Sequence, residues 1–108
     1  MGLRQGFLGG HYITGDFVKI SVITPTANRQ YSLSLMPMWM SRQTVQPHEW
    51  IVVDGGFQPS SIGYERDGCK FHHVPNPNDE GVSNFLSNLE LGVNLASGDV
   101  ILIMEDDE

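Results

Sequence analysis

The sequence predicts an α/β fold with a parallel sheet of about four strands flanked by helices. Apolar runs rich in valine and isoleucine recur along the chain, at 18–24, 50–53 and 100–104. Segments with helical periodicity separate the first two runs and precede the last one. Because strands that alternate with helices are joined by right-handed crossovers, the predicted sheet is parallel and Rossmann-like.

The first strand and the first helix are predicted from 18–44. Valine and isoleucine dominate 18–24, and Pro25 is expected to end the strand because proline cannot donate to a ladder of hydrogen bonds. Leucine and methionine side chains then recur at helical spacing, and this helix is predicted to end near 43–44. Pro37 lies inside the pattern and removes one intrahelical hydrogen bond, so we expect either a kink or a late start of the helix.

Two more strands are predicted between residues 50 and 74. The run 50–53 is continuous and apolar, as in a buried parallel strand, and Asp54 and two glycines follow it. Residues 59–68 contain turn formers and have room for one short helix. A third strand is predicted at 70–74, where two nearby prolines close it.

A second, amphipathic helix is predicted after the third strand. Six side chains recur at helical spacing and form its apolar face, which in a globular protein faces the core. Asp79 or Ser83 is expected to cap the start of this helix, and Gly98 to provide a left-handed exit. The six apolar-face residues are Val82, Phe85, Leu86, Leu89, Val93 and Ala96.

The last predicted strand runs directly into acidic residues. Five apolar residues, 100–104, precede four acids, 105–108. The apolar run is too short for a globular helix and is predicted as a fully buried strand. The carboxylates repel one another without compensation, and oxygen ligands without nearby sulfur favour a hard cation, Mg²⁺ or Mn²⁺. An acidic chain end without a ligand is the alternative.

Three polar segments are expected to meet at one edge of the sheet. They are 24–28, 54–56 and 105–107, and each follows a predicted strand. Ligands of open parallel sheets bind outside the carboxyl ends of the strands. This convergence favours a binding site at that edge.

Composition and charge narrow the function classes. A chain of 108 residues with 40% hydrophobic residues predicts one globular domain, here 17–108, preceded by an arm or accessory hairpin at 1–16. Six basic residues against thirteen acidic ones give a net charge of −7, which argues against nucleic acids and anionic membranes as partners. The sequence shows neither a signal peptide nor a membrane span, so we expect a cytoplasmic protein.

Four segments, in this order, resemble the nucleotide-binding half of family 2 glycosyltransferases with the GT-A fold. The first is the opening strand and loop, and the second is the end of the first helix with the strand after it. The last two are the second helix and the strand that leads into a DXD-type acidic motif. They correspond to 20–29, 43–44 with 49–56, 92–99 and 101–108.

The resemblance implies a nucleotide site at the predicted edge. Asp54 would accept a hydrogen bond from the base or ribose, with Gly55 beside it. Asp107 would chelate the Mg²⁺ or Mn²⁺ ion that bridges the diphosphate, and Asp106 and Glu105 would lie close to the ribose and the metal. The loop that would lie beside the nucleobase comprises Thr24, Pro25, Thr26, Ala27 and Asn28.

This sequence departs from the family pattern at four places. Glu105 stands where the family usually has its first aspartate, and 87–90 replaces an Ala-Arg-Asn run, which removes a basic phosphate contact and leaves Arg66 as the expected contact to the nucleotide. The spacing from Gly81 to Gly92 is also longer than usual. The acceptor-binding half of the family, with its catalytic base, follows the acidic motif. We therefore expect the truncated GT-A fold to bind a UDP- or GDP-sugar but, on its own, to be inactive, with no catalytic residue.

Two other function classes remain open from the sequence. One is a non-catalytic α/β module that works by self-association, because a sheet that ends at its fourth strand leaves an edge uncovered. A homo-oligomer is expected both for this module and for the glycosyltransferase-like domain. The other is a receiver-like or phosphatase-like domain, which also gathers acids at strand ends.

Overall fold

The computed structural model describes residues 18–56, 60–77 and 82–106. The predicted arm at 1–16 and the predicted metal ligand Asp107 lie outside these residues. The elements are β1 (Ile20–Thr26), α1 (Gln30–Ser41), β2 (Glu49–Asp54), β3 (Lys70–Pro75), α2 (Val82–Leu95) and β4 (Val100–Ile103).

The four strands form one parallel sheet in the order β3-β2-β1-β4. This confirms the predicted Rossmann-like α/β fold. The chain builds the sheet outward from β1 to β3 and then returns to place β4 on the other side of β1. The strand order therefore reverses between β1 and β4, and this reversal is the topological switch point of the sheet.

The strand β1 continues through Pro25, contrary to the prediction that the proline ends it. Pro25 pairs with Val53 in the parallel register. Pairing with β4 ends at Ile23↔Ile103, where the Ile23 carbonyl accepts a hydrogen bond from the Met104 N–H. Backbone polar groups alternate in direction along a strand, so the nitrogen of Pro25 points toward β4, as the Ile23 carbonyl does. Pairing with β4 has already ended before Pro25, so the missing N–H of the proline removes no hydrogen bond from the sheet.

One face of the two central strands packs against α1. Val22, Trp50 and Val52 form a buried cluster with the helix. The Trp50 indole N–H donates to the Thr24 hydroxyl at 2.9 Å. The helix contributes the predicted core residues Leu33, Met36 and Met40.

The helix α1 starts at Gln30 and contains Pro37, so the alternative of a late start is wrong. It ends at Ser41, two residues before the predicted end. The described residues between 60 and 68 contain no helix.

The inward face of α2 is polar, which contradicts the prediction from its apolar spacing. Asn84, Asn88 and Gly92 are buried, whereas Phe85 and Val93 are exposed. A Cβ atom on Gly92 would lie 2.5 Å from Cγ2 of Ile23. The helix therefore packs too closely on β1 for a larger residue, and its asparagines face the strand ends.

The edge strand β4 is exposed, so the prediction of a fully buried strand is wrong. Its four apolar side chains are between 38% and 49% exposed. Within the residues that the structure describes, the strand has a neighbour on one side only, and α2 packs on β1 and β2. A continuous apolar run is therefore no proof of burial when the strand lies at an edge.

Glu49 joins three segments at the amino end of the sheet. Its Oε2 atom accepts hydrogen bonds from the Ser21 hydroxyl at 2.6 Å and from the Ser97 hydroxyl at 3.0 Å. The Gly98 N–H donates to the Ser21 hydroxyl at 2.8 Å, and a Cβ on Gly98 would lie 2.7 Å from the Lys19 carbonyl. Gly98 is thus needed for close approach and not, as predicted, for a left-handed φ, which it does not adopt.

The Glu49 carboxyl is charged in spite of its burial. Burial raises its pKa, but the hydrogen bonds from Ser21 and Ser97 outweigh that effect and hold the pKa below its ordinary value of 4.5. A folded-state pKa below the unfolded one contributes stability that is complete above the unfolded value and is lost as the pH falls through the folded value.

Replacing this carboxylate by an amide, Glu49→Gln, is expected to lower the free energy of unfolding by about 2–3 kcal/mol near pH 7, because charge-assisted hydrogen bonds are lost. The difference from the wild type should begin to shrink below about pH 4.5, where the unfolded wild type takes up a proton. It should vanish once the pH falls below the lower pKa of the folded state, where both proteins carry a neutral side chain. Urea denaturation at several pH values measures this difference in the free energy of unfolding. Glu65→Gln, at an exposed carboxylate, is the control, and a pH-independent difference would contradict the assignment.

Candidate functional site

A pocket of about 280 Å³ lies at the carboxyl edge of the sheet, at the switch point between β1 and β4. The loop after β1, the segment after β4 and one turn of α2 form its walls. Its lining includes Pro25, Thr26, Ala27, Asn28, Arg29, Asn84, Phe85, Asn88, Glu105 and Asp106.

The carboxylate of Asp106 is buried in the wall of this pocket. The Thr26 hydroxyl donates a hydrogen bond to its Oδ2 atom. Arg29 Nη1 lies 3.7 Å from its Oδ1 atom, and the Arg29 side chain is 49% exposed. The preceding acidic residue, Glu105, is exposed at the mouth of the pocket. The structure therefore joins one oriented carboxylate, one solvent-facing carboxylate and one guanidinium.

Asp54 ends β2 and is almost completely buried. It accepts hydrogen bonds from the Gly56 N–H at 3.0 Å and the Ser60 N–H at 2.6 Å, and His73 Nε2 lies 3.3 Å away. Burial raises the pKa of Asp54, but these hydrogen bonds outweigh it and lower the pKa below 3.8. Asp54 is therefore an anion at neutral pH, and it fixes the chain that follows β2.

A network of asparagine amides closes the floor of the pocket. Asn84 donates to the Gly55 carbonyl at 3.2 Å, and Asn88 donates to the Thr26 carbonyl at 3.3 Å and to the Asn84 amide oxygen at 2.9 Å. A Cβ on Gly55 would lie 2.6 Å from both amides. Gly55 thus permits α2 to approach the strand ends, whose carbonyls the two asparagines satisfy.

Asn28 has a backbone conformation that few residues adopt. Its φ is 57°, in the left-handed region, which asparagine tolerates better than most side chains. A Cβ on Gly56 would lie 2.8 Å from Asn28 Oδ1 and 3.2 Å from Asp54 Oδ1. The close fit of these three residues links the loop after β1 to the end of β2.

Most of the predicted site residues lie together. Six of them line the pocket: Pro25, Thr26, Ala27, Asn28, Glu105 and Asp106. Thr24 does not line the pocket; it is buried, and its hydroxyl accepts a hydrogen bond from Trp50. Asp54 and Gly55 lie against the wall through Gly56 and the asparagines. Asp107 lies outside the described residues.

Arg66 is not at this edge. Its Nη1 atom donates to the Ser41 carbonyl at 2.8 Å, at the end of α1, and α1 ends at the amino side of the sheet. Its position corrects the expectation of a nucleotide contact from Arg66. A cation near a helix carboxyl end stabilises the exposed carbonyls there.

Sequence reasoning missed Arg29, Asn84 and Asn88 as pocket residues. Arg29 is the last residue of the predicted loop, but only 24–28 were named as site residues, so its place could have been found by including the whole loop. Asn84, Asn88 and Gly92 recur at intervals of four, which is also a helical spacing. The apolar stripe obscured this polar one.

The carboxylates at the mouth suit a hard divalent cation. Mg²⁺ is typically held by one or two protein carboxylates together with phosphate oxygens and water. Glu105 and Asp106 provide such oxygens at one wall of the pocket. Within the described residues no three His, Cys, Asp or Glu side chains are grouped as a metal site.

A second, apolar pocket of about 460 Å³ adjoins the first. The outer side of α1 and the segment after β4 form it, and it shares Glu105 and Asp106 with the polar pocket. Its apolar lining consists of Tyr31, Leu35, Met36, Trp39 and Met104.

Comparisons of the chain with protein-family models, curated proteins and solved structures found no match. The resemblance to family 2 glycosyltransferases is accordingly an expectation from sequence motifs. In the described part of the chain, neither helix is long and apolar enough to cross a membrane. The findings establish a parallel α/β sheet with a polar pocket at its switch point.

Proposed function

We propose that this chain binds a nucleoside-diphosphate sugar, UDP- or GDP-linked, together with Mg²⁺ or Mn²⁺ as the donor-binding part of a cytoplasmic GT-A-type glycosyltransferase. The observation that supports this most is the polar pocket at the switch point, lined by the loop after β1 and by acids after β4. Crevices at this point of open parallel sheets are the usual ligand sites of such folds.

Each wall of the pocket has a role in this proposal. The end of β1 and the loop after it, 25–28, contact the base and ribose. Asp54 holds the neighbouring backbone in place or accepts a hydrogen bond from the base. Glu105, Asp106 and Asp107 hold the cation. The cation, when bound, stabilises the negative charge that develops on the leaving diphosphate. No described residue is assigned to activation of an acceptor.

Calorimetric titration with UDP, GDP and their sugars, with and without Mn²⁺, tests the proposal. One of the nucleoside diphosphates should bind, and its affinity should depend on the cation. The double variant Glu105→Gln/Asp107→Asn should weaken binding in Mn²⁺ by about 100-fold, because two charged contacts are lost.

Glu65→Gln is the matched control, since Glu65 is an exposed carboxylate beside Arg66, away from the pocket. It should leave the affinity unchanged. Absence of binding by the wild type under all these conditions, or equal affinity with and without the cation, would contradict the proposal.

The exposed edge strand favours a second candidate function, a non-catalytic module that self-associates. Val100–Ile103 presents four consecutive apolar side chains on an edge without charge or proline. Natural edge strands usually carry a charged residue or a proline, which hinders pairing with another chain. A folded dimer in light scattering that binds no nucleotide would favour this candidate, whereas a monomer would exclude it.

A further inference from the structure

The residues of α2 that are described in the wall of the polar pocket carry no charge. Its lining side chains are Asn84, Phe85 and Asn88. The opposite wall holds the carboxylates of Glu105 and Asp106, which repel a diphosphate anion. A protein cation at this pocket would offset part of that repulsion and would add to the effect of a bound metal.

Arg29 provides a cation at the required place. It is the residue just before α1, it lines the pocket, and its side chain is about half exposed. Its Nη1 atom lies 3.7 Å from Asp106 Oδ1, which is longer than a direct hydrogen bond. The guanidinium therefore forms an ion pair with the carboxylate. Its planar fork of donors matches phosphate oxygens.

Among the basic residues that the structure describes, the remaining four lie toward the other edge of the sheet. Lys19 and Lys70 are at the starts of strands. Arg42 follows α1, and Arg66 donates a hydrogen bond to the last turn of α1. In a parallel sheet the starts of all strands lie at the edge opposite the pocket.

We infer that Arg29 binds the diphosphate of the nucleotide, so that the phosphate-binding cation comes from the loop after β1 and not from α2. The guanidinium contacts the phosphate oxygens while it stays beside Asp106. This inference deepens the proposed function and rests on it.

The experiment compares Arg29→Gln and Arg29→Lys with the wild type in titrations with UDP, uridine and inorganic pyrophosphate, all in Mn²⁺. GDP and guanosine replace the uridine compounds if GDP is the ligand. Arg29→Gln should weaken diphosphate binding by about 10- to 100-fold, and leave nucleoside binding within about twofold. The diphosphate affinity of Arg29→Lys should lie between those of the wild type and Arg29→Gln, because lysine keeps the charge but lacks the planar fork of donors.

Arg42→Gln is the control, an exposed arginine at the other edge, and it should bind like the wild type. Unchanged diphosphate affinity of Arg29→Gln, or an equal loss for diphosphate and nucleoside, would overturn the inference. If the wild type binds pyrophosphate through Arg29 but no nucleotide, the inference holds as an anion site and the proposed function fails. If it binds neither, both fail.

Discussion

Replacing Trp50 with alanine is expected to lower the free energy of unfolding by about 3–5 kcal/mol, the usual cost of truncating a buried tryptophan. Trp50 is fully buried between α1 and the sheet. Its ring packs edge-on against Tyr64 and Phe71, with centroids 5.2 and 5.3 Å away. Since small domains are stable by only about 5–15 kcal/mol, much of the margin is lost.

The second tryptophan of the chain is a matched control. Trp39 lies on the outer side of α1 and is 62% exposed. The same substitution there, Trp39→Ala, should change the free energy of unfolding by no more than about 0.5 kcal/mol. Urea denaturation followed by circular dichroism measures both variants, and similar losses for the two would contradict the described core. Trp50→Phe should lower the free energy of unfolding by less than Trp50→Ala, because it keeps an aromatic ring in the core but loses the hydrogen bond to Thr24.

The variant Asp54→Ala is expected to lower the free energy of unfolding by about 3–5 kcal/mol, because it leaves buried hydrogen-bond donors without an acceptor. The affected groups are the N–H groups of Gly56 and Ser60 and the ring of His73. Asp54→Asn keeps one acceptor oxygen and should lose about half as much.

Urea denaturation near neutral pH measures the Asp54 effect, with Asp67→Ala at an exposed aspartate as the control. Because the folded pKa of Asp54 lies below 3.8, its contribution is complete above that value and declines as the pH falls through the folded pKa. If Asp54→Ala were no more destabilising than Asp67→Ala, the carboxylate would not be holding the chain after β2.

The fold and the position of the pocket could be predicted because they depend on strong local signals. The apolar strand β2 ends in Asp54, and β1 and β4 are followed by polar loops. Once the sheet is parallel, these ends must meet at one edge, whatever the details of packing. No family knowledge is needed for that step.

The contacts between elements could not be predicted from such signals. The apolar stripe of α2 follows the helical period, yet the buried stripe is that of Asn84, Asn88 and Gly92, because the amides satisfy strand-end carbonyls and the glycine permits close approach to Ile23. The exposure of β4 follows from its edge position. The position of Arg66 depends on the path of the chain after β2, which contains turn residues without periodicity.

The hydrogen bonds around the pocket connect residues that are far apart in the sequence. Thr26 and Asp106 are separated by 80 positions, Thr26 and Asn88 by 62, and Gly55 and Asn84 by 29. Loop closure over such separations makes these contacts slow to form, so the pocket is complete only when nearly the entire chain has folded. A ligand of this pocket would thus stabilise the whole domain by mass action, and the gain in melting temperature would report its affinity.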